Sequence, residues 1–388
     1  MPYDTRQYAA ISDVITDLNP GEPVYCIYPR LLHNDVRQFV SGFPGRVMYA
    51  VKANPDPRIV EHVLTAGVRD VDAASIEEME LVHAIDPTVR CYFMAPVRLR
   101  GAVERAYTAH HVRDYVVDHH DELRRVAAEL PQQDVTVFVR MATDNPDATY
   151  NLSEKFGASH ADTVALLREV ASLGFEPALA FNTGSLVRRP GAYVDALKHC
   201  QKVLEEAGVA VRQVDVGGGF PSDYPGMQSE PWESFFKAID ETRQSLPLLR
   251  NVELHAEPGR ALIANGMSLL TQVLHRAGNR LFINDGVWGS MVEPMLSKGE
   301  LRYPSRAFRG TTPVTGADQN YEVFGPTCDS MDRLPAPLPL PCDLAAGDWI
   351  EFGTMGAYSL SNRTHFNGFF PDNFVEIVGD TSAPPSIG

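Results

Sequence analysis

An alternation restricts this fold more than any other feature. Short apolar runs recur at 46–51, 70–73, 91–94, 114–118, 135–141, 177–181, 211–216 and 252–256. Between them apolar residues fall three and four apart, as at 59–66, 76–85, 161–173, 193–207 and 232–246. Short continuous apolar runs read as buried strands, and three-and-four spacing reads as helices with one buried face. Strands joined by helices specify a parallel sheet, because the chain must cross back before it can pair in the same direction. Eight such units in roughly 210 residues fit a closed (β/α)8 barrel of the TIM type. An open doubly wound sheet would need a switch in strand order that the pattern does not show.

After residue 260 the texture changes. Strand-like runs at 269–274, 280–284, 321–324, 348–352 and 374–378 are separated by Pro/Gly turns, with no strong helical pattern. That predicts a C-terminal β-sandwich or β-barrel domain, and the run at 24–28 is expected to pair with it. The expected class is therefore α/β, with the barrel over 30–265 and a discontinuous β domain over 1–29 and 266–388. A chain of 388 residues is too long for one ordinary core, which supports the division. Residues 335–341 read as a Pro/Leu linker, and the tail after Gly379 reads as disordered.

Composition removes several function classes. A net charge of −16 and the lack of a long basic run exclude a nucleic-acid surface. The arginines of 98–105 read as a solvated face. No run reaches about 18 apolar residues, so no membrane helix is expected. The first residues lack a basic-then-apolar signal pattern. Cys26, Cys91, Cys200, Cys328 and Cys342 are widely spaced and odd in number, which suits a reducing cytoplasm. With no CxxC or HExxH pattern, no metal site is expected.

Barrel enzymes place their chemistry at the carboxyl ends of the strands. The first predicted strand delivers Lys52 and the second Asp72. The fifth delivers Arg140, followed by a polar stretch at 144–159. The sixth delivers Asn182 and Ser185, the seventh Gly217, Gly218 and Gly219, and the eighth Glu257, Gly259 and Arg260. Each has a plain alternative. Lys52 either snorkels from the strand or forms a Schiff base with a carbonyl group. The glycines make a tight turn, or cradle a phosphate on their backbone amides. Arg260 caps a turn or pairs with that phosphate. Glu257 pairs with Arg140 or Arg260, or accepts from a protonated ring nitrogen. Together they describe a site for pyridoxal phosphate.

Longer motifs carry a resemblance. They are Tyr-Ala-Val-Lys52-Ala-Asn, Asp72-Ala-Ala-Ser75, Arg140-Met-Ala-Thr-Asp144, Glu154-Lys-Phe-Gly-Ala158, the triple glycine and Glu257-Pro-Gly-Arg260. In the β domain they continue as Gly325-Pro-Thr-Cys328-Asp329-Ser-Met-Asp332, Gly356-Ala-Tyr358 and Thr364-His-Phe366-Asn-Gly-Phe369. Over nearly its whole length the chain resembles the ornithine/diaminopimelate decarboxylases, the fold type III pyridoxal-phosphate enzymes, and within them the ornithine/lysine branch. The resemblance implies a decarboxylase acting on ornithine, lysine or a related diamino acid, in polyamine biosynthesis. Lys52 would hold the cofactor aldehyde and Glu257 the ring nitrogen. Gly217 to Gly219, Ser185, Arg260 and Tyr358 would bind the phosphate, and Asp72 and Arg140 would shape the pocket. Cys328 and Asp329 would enter the partner's site in a head-to-tail homodimer, Cys328 protonating Cα and Asp329 meeting the substrate amine. Phe366 would line the pocket. An amino-acid racemase on the same barrel, or a catalytically silent regulatory homologue, would be the other classes.

Two positions depart from the family pattern. The sixth strand ends in Phe181-Asn182-Thr183-Gly184-Ser185, with Asn182 where the family stacks a histidine on the cofactor ring. The acid expected to hold a distal ammonium falls, by counting from Asn284-Asp-Gly-Val-Trp-Gly-Ser290, on Ser297. Glu293 or Glu300 could stand in for it.

Overall fold

The computed structural model describes residues 5–143, 145, 148–150, 155–379 and 383–386. The chain divides into two compact units. One comprises Val36–Pro221 and Ser229–Ala261. The other comprises Met1–Asp35, Ser222–Gln228 and Leu262–Gly388. Asp144 and Glu154 of the quoted motifs lie outside the described residues, as does part of the tail after Gly379.

The first unit is a closed barrel of eight strands. We number them β1 (Arg46–Ala50), β2 (Asp70–Ala73), β3 (Arg90–Phe93), β4 (Asp114–Val117), β5 (Thr136–Met141), β6 (Glu176–Phe181), β7 (Gln213–Asp215) and β8 (Glu253–Ala256). All neighbours are parallel, and β8 closes on β1 through His255↔Arg46 and Ala256↔Val47. These are the eight runs legible in the sequence. Their nearly continuous apolar character follows from burial on both faces, inside against the barrel core and outside against helices. The core includes Met48, Tyr92, Met94, Val116, Phe138, Ala178 and Ala180. His255 is fully buried, its ring 5.6 Å from that of Tyr92 and 5.8 Å from that of Phe138.

Charges tie the strands together where they begin. Arg46 pairs with Asp70 at 3.1 Å and with Glu253 at 3.0 Å, linking β1 to both neighbours. Arg90 pairs with Asp114, linking β3 to β4. These ion pairs lie at the amino-terminal face, and the opposite rim is where barrel enzymes place their chemistry.

One expectation about this unit is corrected. Arg98 is not on a solvated face; it is buried. It donates to Glu122 at 3.0 Å, to the Phe93 carbonyl at 3.1 Å and to the Val116 carbonyl, and it stacks over the Phe93 ring. Its neighbours Val97 and Leu99 are turned out instead, 71% and 84% exposed. The planar guanidinium can satisfy several acceptors at once while covering an aromatic face, which lets it replace an apolar residue there.

The second unit is built on a sheet of ten strands. Val24–Ile27 pairs antiparallel with Met267–Ala277 and parallel with Asn373–Ile377. Met267–Ala277 also pairs with Trp349–Phe352 and Arg280–Ile283. Asp318–Phe324 pairs parallel with Arg280–Ile283. The stretch read as a linker at 335–341 contains a strand, Leu338–Pro341, antiparallel to Asp318–Phe324. Leu338 and Leu340 alternate inward and are buried, while the prolines are tolerated because this is an edge strand. The described part of the tail is packed rather than loose: Pro384 is buried. The Pro385 carbonyl oxygen lies 2.0 Å from where a Cβ on Gly353 would sit, so only glycine fits there.

Candidate active site

At the end of β1 the chain makes one 3-10 turn, Val51–Ala53. Val51 and Ala53 are buried, so the turn leaves Lys52 as the exposed residue between them. The Tyr49 hydroxyl closes the turn by donating to the Asn54 carbonyl at 2.9 Å. Lys52 Nζ donates to Asp72 Oδ2, on β2, at 2.5 Å. Asp72 is buried, and its Oδ1 has no hydrogen-bond partner.

Pairing of β7 with β8 sets Asp215 opposite His255, which brings Glu257, two residues on, to the same rim. Asp215 Oδ1 accepts from the Gly217 amide at 2.8 Å, and its carboxyl hydrogen-bonds to that of Glu257. Burial holds the Glu257 carboxyl well above the usual carboxylate range. The Asp215 and then the Asp72 charges push it the same way, against Lys52. Burial also raises Asp215, against the lowering effect of Glu257, His255 and the Gly217 amide. Three carboxyls therefore crowd together, and one amine, Lys52, is bonded to Asp72. Such a group must keep a proton or gain a cation.

Glu78 adds a fourth acid. Its Oε2 accepts from the Ala74 amide at 2.6 Å, and burial pushes its carboxyl up to about 7. It stands at the third position of helix Ile76–Ile85, whose cap is Ser75.

The triple glycine is dictated by close packing. Gly217 and Gly219 have φ of 73° and 94°, in the left-handed region. A Cβ on Gly217 would lie 2.4 Å from the Phe181 carbonyl oxygen, and one on Gly219 2.6 Å from that of Gly184. On Gly218 it would lie 2.7 Å from the Glu257 carbonyl oxygen. The loop is thus wedged between those following β6 and β8, and only glycine fits. The Val187 amide donates to Gly219 O at 3.0 Å, which joins the short strand Ser185–Val187 to this loop. Gly259 serves the same end on the other side: a Cβ there would lie 2.7 Å from that of Ala53, beside Lys52.

Asn182 closes its own turn. Its Oδ1 accepts from the Gly184 amide at 3.0 Å, and its carbonyl accepts from Thr143 Oγ1 at 2.6 Å. The side chain that replaces an aromatic ring is therefore spent on loop geometry. Arg260 is buried beyond β8. Arg140 is half-buried, its guanidinium 5.4 Å from the centre of the Phe156 ring.

In the second unit, Asp332 organises the loop that presents Cys328 and Asp329. Buried Asp332 accepts from the Val287 amide at 2.9 Å, the Thr327 amide at 3.0 Å and the Thr327 hydroxyl at 2.6 Å. Cys328 is exposed, and its amide donates to Asn367 Oδ1 at 3.0 Å. Asp329 Oδ2 accepts from Trp288 Nε1 at 3.1 Å, and the Phe366 ring lies 5.7 Å from that indole. Tyr358 is half-buried, with φ of 60°.

Ser297 is buried. Its hydroxyl donates to the Pro294 carbonyl at 3.1 Å and accepts from the Leu301 amide at 3.0 Å. Glu293 is buried in the same turn, so neither side chain is presented to solvent there. Glu300 is exposed.

The residues expected at strands one, two, six, seven and eight thus meet on the rim. Cys328, Asp329 and Phe366 form a second cluster, and the Ser297 hydroxyl is used within its own turn. Sequence reasoning missed Asp215, Glu78 and Trp288. Asp215 directly precedes Val216 and the triple glycine, which was signal enough to name it. Glu78 reads simply as the acid of a capping box with Ser75, and Trp288 as the variable position of Asn284 to Ser290.

Residues 30–264 match a family model described as the pyridoxal-binding domain of pyridoxal-dependent decarboxylases. A decarboxylase of Aspergillus flavus is 32% identical over 91% of this chain and 85% of its own. Ornithine decarboxylase of Neurospora crassa is 29% identical over 85% of this chain and 75% of its own. The crystal structure of an arginine decarboxylase from Paramecium bursaria Chlorella virus, bound to agmatine, is 26% identical. It superimposes with a TM-score of 0.84 over 95% of this chain and 99% of its own.

Proposed function

The chain belongs to the pyridoxal-dependent decarboxylase family and is a pyridoxal-phosphate amino-acid decarboxylase; on that premise we propose that it decarboxylates a diamino acid of the ornithine/lysine type, as a homodimer. The observation that carries the site is the buried group of Asp72, Asp215 and Glu257 facing Lys52. Asp72 Oδ1 is buried without a hydrogen-bond partner, and Asp215 and Glu257 hydrogen-bond to each other. A pyridine ring protonated on nitrogen supplies the missing cation and a donor, so the residues fit the cofactor.

When bound, pyridoxal phosphate supplies an electron sink for the pair left on Cα as the carboxylate departs. Lys52 would hold its aldehyde, with Asp72 orienting the amine. Glu257 would keep the ring nitrogen protonated, and Asp215 would fix the Gly217 turn beside it. The backbone of Gly217 to Gly219, with Ser185, Arg260 and Tyr358, would take the phosphate, and Arg140 would border the pocket. The exposed Cys328 thiol would return a proton to Cα from the partner subunit, and Asp329 beside it would receive the distal ammonium. With Ser297 committed to its own turn, Asp329 carries that charge recognition. The short loop that fixes Cys328 and Asp329 together supports this reading over a racemase, which needs a base on each face of Cα.

A panel of amino acids scored for carbon dioxide release tests the assignment. Ornithine or lysine is expected to lead, and no release from any diamino acid overturns the substrate class. Mixing Lys52→Ala with Cys328→Ala tests the shared site. Random pairing in a two-fold dimer restores about a quarter of the wild-type activity, and no recovery refutes it.

A further inference from the structure

Asp329 is gripped from two sides. Its Oδ1 accepts from the Met331 amide at 2.9 Å and its Oδ2 from the Trp288 indole at 3.1 Å. The indole is itself fixed. The Trp288 carbonyl accepts from the Thr364 amide at 3.0 Å and the Thr364 hydroxyl at 2.8 Å, and the Phe366 ring is inclined to the indole at 52°. The turn that carries Trp288 closes on Asp285, whose Oδ1 accepts from the Gly286 amide at 2.7 Å and the Ser290 amide at 3.2 Å. Its backbone course therefore does not depend on the side chain at 288.

An indole N–H donates and cannot accept. In a carboxylate taking two N–H donors, one acceptor position on each oxygen is already used. What remains suits a compact ammonium. A guanidinium prefers the two parallel bonds of a free carboxylate face.

We infer that Trp288 is a specificity-determining positioning residue, which orients Asp329 through one oxygen so that the site takes a distal ammonium in preference to a guanidinium. The inference rests on the reading that Asp329 receives the substrate's side-chain cation. It concerns a residue that touches Asp329, and it makes no demand on the chemistry at Cα.

The test is steady-state kinetics of the holoenzyme with ornithine, lysine and arginine. The variants are Trp288→Phe, Trp288→His, Asp329→Asn and the double variant Trp288→Phe/Asp329→Asn. Trp288→Phe is expected to raise KM for the diamino acids about tenfold, with a much smaller change in kcat, and to narrow their advantage over arginine. Trp288→His keeps a ring N–H and is expected to recover most of the loss. In the double variant the loss should not exceed that of Asp329→Asn alone. Additive losses, an unchanged preference in Trp288→Phe, or a fall confined to kcat would each overturn the role of Trp288 while diamino acids are still decarboxylated. If wild-type enzyme releases no carbon dioxide from any diamino acid, the reading of Asp329 fails, and the role of Trp288 with it.

Discussion

Replacing Glu257 by Gln has opposite effects on activity and on the stability of the cofactor-free protein. Glu257 is buried beside Asp215 and Asp72, and its carboxyl is held well above the usual range by burial and by those charges. The folded state therefore binds a proton that the unfolded chain releases above its ordinary carboxylate pKa of about 4.3. The sign follows from linkage. A carboxyl whose folded pKa is raised contributes its full stability below the unfolded pKa, and that contribution is lost as pH rises toward the folded value. One proton held in this way gives a slope of about 1.4 kcal/mol per pH unit, or about 2.7 kcal/mol over two units. Glu257→Gln keeps the shape, removes the titration and relieves Asp215. Urea denaturation of the two apoproteins from pH 5 to 8 reads the difference directly, because groups raised in both, such as Glu78 and Asp285, cancel. The variant is expected to gain on wild type as pH rises. Adding pyridoxal phosphate should flatten the wild-type slope, because a ring-nitrogen cation lets Glu257 ionise. Activity should meanwhile fall by about two to four orders of magnitude, the loss of one charged partner worth about 3–5 kcal/mol. Parallel stability curves for the two apoproteins would refute the argument.

Three further outcomes follow from the packing. Gly217→Ala puts a side chain at φ of 73° and a Cβ 2.4 Å from the Phe181 carbonyl oxygen. It should cost about 2–4 kcal/mol and weaken cofactor binding, and an unchanged urea midpoint would contradict it. Arg98→Met leaves part-buried Glu122 with only Arg125, at 3.5 Å, and strands two carbonyl groups. The expected loss is about 3–5 kcal/mol by thermal or urea unfolding, whereas a truly solvated arginine would change stability by less than about 0.5 kcal/mol. Asp332→Ala removes the acceptor of the Val287 and Thr327 amides. It should cost about 2–5 kcal/mol in urea unfolding and abolish activity along with the set of the Cys328 loop; a fully active, equally stable variant would show that the loop is organised by something else.

The parts legible from sequence share a physical basis. Strands such as Asp70–Ala73 and Glu176–Phe181 are buried on both faces and so read as apolar runs. Helix Ile76–Ile85 announces itself with a serine cap and glutamates in its first turn. The illegible parts depend on neighbours distant in the chain. Arg98 looks like its solvated companions until Glu122 and the carbonyls of β3 and β4 are placed around it. Leu338–Pro341 looks like a linker until Asp318–Phe324 offers an edge on which prolines can be tolerated.

The same division runs through the active site. Sequence alone determined that eight strands would alternate with helices, and hence that Lys52, Asp72, the triple glycine and Glu257 would lie at or just after strand ends on one rim. That is a consequence of direction: every strand of a parallel barrel runs the same way, so the residue after each strand is fixed by order alone. Tertiary structure decided which of these groups act on one another. The pairing of Asp215 with His255 brings Glu257 beside Asp215, and Lys52 reaches Asp72 from the neighbouring strand. Whether a carboxyl holds its proton depends on burial and on charges a few ångströms away through space, and spacing along a chain encodes neither.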